Sequence, residues 1–130
     1  MIEREIAEFG RRMGMPSFAL SADGLAALDV EGLGRLYLER GPDDAQEREL
    51  LVYVALPVPD YDTGAPRRVL EACHYRHAHP LPLAGGLHNG NIILITRLPE
   101  GRATAADIEK AVLFLGTIRD QVGAAQEGRP

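Results

Sequence analysis

Apolar side chains recur at Ile2, Ile6, Phe9 and Met13, with Glu3, Arg4, Glu5, Glu8, Arg11 and Arg12 between them. Steps of four, three and four residues put the apolar set on one stripe and the charges on the other faces, which predicts an opening helix. Gly14 and Pro16 predict its end. The period then changes to two. Ala26, Leu28 and Val30 share one face, "EG" follows at positions 31 and 32, and Leu36 and Leu38 alternate with outward Arg35, Tyr37 and Glu39. Two short strands joined by a tight turn fit this pattern.

"GPDDAQERE", residues 41 to 49, is turn-rich and charged, and leads into "LLVYVALP". Apolar residues fill both parities of that run, which predicts a strand covered on both faces. "PVPDYDTGAP" reads as a loop, with Asp62 or Thr63 as a helix cap and Pro66 in the first turn of a helix reaching about residue 77. Val69, Leu70, Cys73 and His77 form its apolar side. A strand is expected around Leu81 and Leu83, short or at an edge because Pro80 and Pro82 cannot donate to a ladder. "GGLHNG" then reads as a turn region, and Asn89-Gly90 is a hairpin signal ahead of the strand "NIILITRL". Thr104 stands three residues before Asp107, close to a capping box, and Ile108, Val112, Leu115, Ile118 and Val122 continue as a helix. The order α-β-β-β-α-β-β-α, without internal repeats, predicts an α+β fold: an antiparallel β-sheet with helices packed on it, in one domain over residues 1–123, with 124–130 a frayed tail.

The chain has 130 residues, enough for one apolar core and few for two. Nineteen acidic against fourteen basic residues give a net charge of −5, which opposes sequence-independent attraction to phosphate backbones or anionic lipid. Neither nucleic acid nor membrane is therefore expected as a partner. The start "MIEREIAEFG" lacks the basic and apolar blocks of an export signal, and the lone cysteine fits a reducing compartment, so a cytoplasmic protein is expected. Three amphipathic helices and a two-sided strand must all find cover, although a small domain buries only about two-thirds of the surface its unfolded chain exposes. Some apolar surface is expected to meet another chain.

Candidate chemistry concentrates in "CHYRHAH", residues 73 to 79. On a helix, Cys73 and His77, or His74 and His77, share a face and could offer two ligands to zinc. Two ligands fall short of the three or four a zinc site needs. His79 precedes Pro80 and is biased away from helical geometry, and His88 lies in a separate turn. The competing account makes these imidazoles complements to a helix C-terminus and Cys73 a small buried hydrophobe. A nucleophilic Cys73 lacks an oxyanion hole, "GGLHNGN" lacks the Lys-Ser/Thr ending of a phosphate cradle, and the acidic loop residues Asp43, Asp44, Asp60 and Asp62 lack calcium-loop spacing. No catalysis, cofactor or metal is expected. The alternative reading is a small metal-binding protein or metal-dependent enzyme using Cys73, His74, His77 and His79.

Several strings, in their order, resemble the bacterial type III secretion chaperones that serve individual effectors, the CesT/Tir-chaperone-like group. They are "IAEFGRRMGMP", "ALDVEGLGRLYLE", "LLVYVALPVP", "APRRVLEAC", "NGNIILITRLP" and "ADIEKAVLFLGTIRDQV", together covering roughly residues 2 to 123. The resemblance implies a cytoplasmic bacterial homodimer that holds the N-terminal chaperone-binding segment of a secreted effector in apolar grooves, keeping it soluble and export-competent. It also implies dimer contacts through the middle helix and the following strand. Carried onto matching positions, Val69, Leu70, Cys73, Leu81 and Leu83 become dimer candidates, and Ile2, Ile6, Phe9, Tyr37 and Leu38 candidates for touching the effector. The stretch "HYRHAHPLPLAGG" departs from the small, Gly-rich segment common there in the family.

Overall fold

The computed structural model describes residues 1–43, 46–74 and 78–127, with side chains through residue 122. In chain order it has α1 (Ile2–Arg12), β1 (Leu25–Val30), β2 (Gly34–Arg40), β3 (Glu49–Pro57), α2 (Ala65–Ala72), β4 (Ala84–His88), β5 (Asn91–Pro99), a 3₁₀ turn (Glu100–Arg102) and α3 (Ala105–Glu127). The expected α-β-β-β-α-β-β-α order is thus observed. The strands form one antiparallel sheet in the order β1-β2-β3-β5-β4, which puts β1 and β4 at its edges.

One face of the sheet is apolar and sealed. Ala26, Leu28, Leu36, Leu38, Leu50, Val52, Val54, Ile92, Leu94 and Leu98 are buried there, as period-two alternation requires. They share a core with Ile2, Ile6 and Phe9 of α1 and Ile108, Ala111, Leu115, Ile118 and Val122 of α3. Helix α3 packs against α1, α2, β3 and β5 and forms the centre of that layer. Its start is held three times. Thr104 Oγ1 accepts from Asp107 N at 3.1 Å and Asp107 Oδ2 accepts from Thr104 N at 3.1 Å, which is the predicted reciprocal cap. Glu5 Oε1 of α1 accepts the Ala105 amide at 2.9 Å, so α1 also caps the helix it packs on.

Three local expectations change. Neither Asp62 nor Thr63 caps α2 by its side chain; Gly64 is the cap residue, with Pro66 in the first turn. The Asp62 carboxylate is taken instead by the Arg68 guanidinium, at 3.1 and 2.6 Å, and Arg68 also donates to the Val122 carbonyl of α3. Helix α2 ends at Ala72 rather than near residue 77, and His77 lies outside the described residues.

The strand expected around Leu81 and Leu83 is Ala84–His88. Pro80 and Pro82 lack amide donors, so the ladder starts beyond them. "GGLH" is strand, and the turn is confined to Asn89 (φ 51) and Gly90 (φ 77), the left-handed pair that a two-residue hairpin demands. Gly85 serves packing. A Cβ there would lie 2.8 Å from Val69 Cγ1 and 3.0 Å from Cys73 Sγ, so its bare backbone lets α2 sit on β4.

Candidate functional site

Strand β3 was expected to be covered on both faces, and within this chain it is covered on one. Leu50, Val52 and Val54 are buried, whereas Leu51, Tyr53 and Ala55 are only half-buried on the opposite, outer face. Tyr53 stacks on Tyr37 of β2, ring centroids 4.9 Å apart and planes 14° from parallel. The Arg35 guanidinium lies 6.0 Å from the Tyr37 ring centroid and pairs with Asp29 at 3.1 Å. Tyr53 donates its hydroxyl to Glu39 at 2.7 Å. Burial first, then that bond to an anion, pushes the Tyr53 phenol well above its usual value, because ionisation would put a poorly solvated charge beside a carboxylate. Ile93 and Ile95 of β5 are half-buried on the same face.

The residues expected to touch an effector divide sharply. Ile2, Ile6, Phe9 and Leu38 lie inside the protein's own core and offer no surface as they stand, while Tyr37 is half-buried on the outer face. The physical reason is that Ile2, Ile6 and Phe9 of the α1 stripe are built into the chain's own core, with α3 packed on α1, while Met13 at the end of the stripe stays exposed.

The residues expected at a dimer contact also divide. Val69 is buried against β4, while Leu70, one residue on, stands 72% exposed. Cys73, Leu81 and Leu83 are partly buried against the core. These three, with His74, His79, Pro80 and Pro82, line an open groove of about 420 Å3. Beside it runs β4, with all five residues exposed, pairing on one side with β5 and leaving its other edge without a strand. At the opposite edge, Met15, Pro16, Phe18, Leu25 and Ala27 line a second groove of about 470 Å3 along β1.

Of the four residues in the candidate metal cluster, Cys73, His74 and His79 are described and His77 is not. His79 Nε2 lies 2.8 Å from the Ala72 carbonyl at the end of α2, and its ring meets Phe114 edge-on with centroids 5.5 Å apart. Burial pushes the Cys73 thiol up, away from the reactive thiolate. Among the described residues no three His, Cys, Asp or Glu side chains converge as metal ligands. No described helix is long and apolar enough to cross a membrane.

Tyr53, Ile93 and Ile95 were missed as surface residues. Their signal was present in the alternate apolar positions of both runs, but only β3 was read as two-sided and neither run was assigned a contact.

The molecule is an α+β sheet covered by helices on one face, with apolar side chains on the other, edge strands β1 and β4 that pair on one side only among the described residues, and an exposed leucine on α2. No protein-family model matches the chain, and no curated protein sequence does. Solved structures do. The chain is similar to one in the crystal structure of the ExsC-ExsE complex, with 24% identity, a TM-score of 0.74, and coverage of 99% of this chain and 93% of that one. It is similar to one in the structure of the Yersinia pestis type III secretion chaperone SycH in complex with a stable fragment of YscM2, at 12% identity and TM-score 0.68, covering 95% and 98%. The HopA1-SchA chaperone-effector complex is similar at 17% identity and TM-score 0.64, covering 92% and 91%. The fold is that of type III secretion chaperones, as the resemblance in the sequence implied.

Proposed function

We propose that this protein is a homodimeric type III secretion chaperone of the bacterial cytoplasm. It binds the N-terminal chaperone-binding segment of a secreted effector and keeps that segment soluble and export-competent. The observation that carries the reading is a secretion-chaperone fold matched nearly end to end in both chains, with apolar surface that the protomer leaves uncovered. Action is by binding, not catalysis: apolar anchors of the effector lose contact with water in preformed grooves, each contributing on the order of 1 to 3 kcal/mol.

In this reading Leu70 is the central dimer contact, with Cys73, Leu81 and Leu83 around it and Val69 supporting them from beneath. The β4 edge lies beside that patch and can add a partner's strand. For the effector, Tyr37 is a direct contact, while Ile2, Ile6, Phe9 and Leu38 hold the wall behind it. An extended effector segment fits the β1 edge, where main-chain pairing and the Met15–Phe18–Leu25 groove lie side by side.

Two measurements test this. Light scattering on the purified chain should give twice the mass of one chain, and Leu70→Arg should give one chain mass with an unchanged circular-dichroism spectrum; a wild-type monomer at micromolar concentration would overturn the dimer. Purification from the native host should recover a stoichiometric secreted protein bound through its N-terminal region, and recovery of the chain without one would overturn the chaperone reading.

A further inference from the structure

The tip of the β4–β5 hairpin brings a reactive pair of residues beside an imidazole. Asn89 and Gly90 form the turn, both exposed and both with left-handed backbone (φ 51 and 77). The Gly90 carbonyl accepts from Val58 N at 2.9 Å, but the Gly90 amide donates no hydrogen bond among the described residues. Asn89 Nδ2 lies 3.1 Å from His88 Nε2. A carboxamide nitrogen can only donate, so Asn89 gives this bond and the bare ring nitrogen accepts it.

An asparagine side chain condenses most readily with the next residue's amide when that residue is glycine, which leaves the amide unshielded and the backbone free to turn. The nitrogen of Gly90 adds to Asn89 Cγ, its N–H proton passes to solvent, and the new N–C bond closes a ring. In the tetrahedral adduct Nδ2 is an amine with a lone pair. A protonated His88 ring, already within hydrogen-bond distance, can hand that nitrogen a proton, and the Cγ–Nδ2 bond breaks to release ammonia. Water then opens the cyclic imide at either carbonyl and leaves aspartate or isoaspartate. The net change is one water consumed and one ammonia released.

Two other sites in the chain show what the reaction depends on. Asn91, the other asparagine, is held in the β4–β5 ladder and is followed by the buried, β-branched Ile92. Asp23-Gly24 has the same following glycine, at φ 78, but the Gly24 amide is already given to the Ser21 carbonyl at 2.9 Å. Among the described residues, an unbonded glycine amide, a carboxamide leaving group and an imidazole meet only at the β4–β5 tip.

We propose that Asn89 is a site of spontaneous deamidation assisted by the His88 imidazole, and that its isoaspartyl product loosens edge strand β4. Isoaspartate routes the main chain through the former side chain and adds a backbone methylene, so the two-residue turn no longer matches the strands it joins. Aspartate keeps the ordinary backbone and tolerates the left-handed conformation. Strand β4 pairs with β5 alone among the described strands, so register lost at the tip is not restored from its other edge. The groove lined by Cys73, Leu81 and Leu83 lies beside that strand. The reaction needs no partner and stands or falls independently of the chaperone reading.

The experiment ages the purified full chain at neutral pH and physiological temperature. Peptide mass spectrometry and methyl transfer by an isoaspartyl methyltransferase then locate the products. Asn89 should convert at least tenfold faster than Asn91, with isoaspartate the larger product, and Asp23 should stay unchanged. His88→Phe keeps a ring without nitrogen, and His88→Gln keeps an acceptor that cannot deliver a proton. Each should slow conversion at least threefold while hydrogen exchange across β4 and β5 stays as in wild type, which separates proton delivery from support of the hairpin. In the isoaspartyl fraction, amides bonded between β4 and β5 should exchange faster and those between β2 and β3 should not, whereas freshly prepared Asn89→Asp should match wild type. Equal conversion of the two asparagines, or an unmodified Asn89, would overturn the site. Wild-type rates in both His88 variants overturn the role of the ring, and unchanged exchange in the isoaspartyl chain overturns the loosening of β4.

Discussion

Leu50, Val52 and Val54 of β3 are sealed beneath the helices, while Leu51, Tyr53 and Ala55, each one residue further along, stand half-covered on the other face of the same strand. The two sets do not differ much in hydrophobic character. They differ in where their cover comes from. For the inner set it is the helix layer of the same chain, with α3 directly on β3, so those residues stabilise the fold. For the outer set the described residues supply only neighbouring strands, so part of their apolar area stays in water until something else removes it. Inner substitutions should therefore register as lost stability, and outer ones chiefly as lost binding.

The largest effect expected is from Phe9→Ala, which empties a fully buried site between α1 and the rest of the core. Urea unfolding should show a loss of about 3 to 5 kcal/mol, against under about 1 kcal/mol for Tyr53→Ala; similar losses for the two would break the distinction between faces. Next comes Gly85→Ala, on the strand that α2 crosses. Its new methyl meets Val69 and Cys73 well inside contact distance, and overpacking of this kind costs about 1 to 3 kcal/mol. A smaller shift of opposite sign is expected at Thr96. Its hydroxyl is buried in the sealed face and has no hydrogen-bond partner among the described residues. Thr96→Val, nearly the same shape, should raise stability by about 1 kcal/mol, and no gain would mean that the hydroxyl has found a partner.

The smallest effect is on the outer face and depends on pH. Because the folded state holds the Tyr53 proton more tightly than the unfolded chain does, the associated stability is fully present below the ordinary tyrosine value of about 10. It is lost as pH rises above that, where the unfolded state ionises first. Tyrosinate absorbance should show a late-titrating phenol that Tyr53→Phe removes.

Much of this architecture was legible in the sequence because its signals are local. The stripe Ile2–Ile6–Phe9, the alternation around Leu28 and Leu36, the Asn89-Gly90 turn and the Thr104–Asp107 cap each depend on residues a few positions apart. What could not be read depends on distant ones. The stripe of α1 announces that it needs cover, but its cover is α3, about a hundred residues on, and only that contact shows that Phe9 lies in the chain's own core. Strand β4 was misplaced because Gly85 and Gly86 look like turn residues until α2 is set above them. The outer surface emerges only when register brings Tyr37, Tyr53 and Ile95 into one row.

The bond from Glu5 to the Ala105 amide joins residues one hundred positions apart, and this has a consequence for how the protein is made. At about 5 to 20 residues per second, a ribosome that has released α1 needs on the order of 5 to 20 seconds to produce the start of α3. Throughout that interval Ile6 and Phe9 have no α3 to rest against. A protein proposed to hold another's segment in unfolded form thus passes through part of its own synthesis in that condition, with its opening helix secured only once α3 has been made.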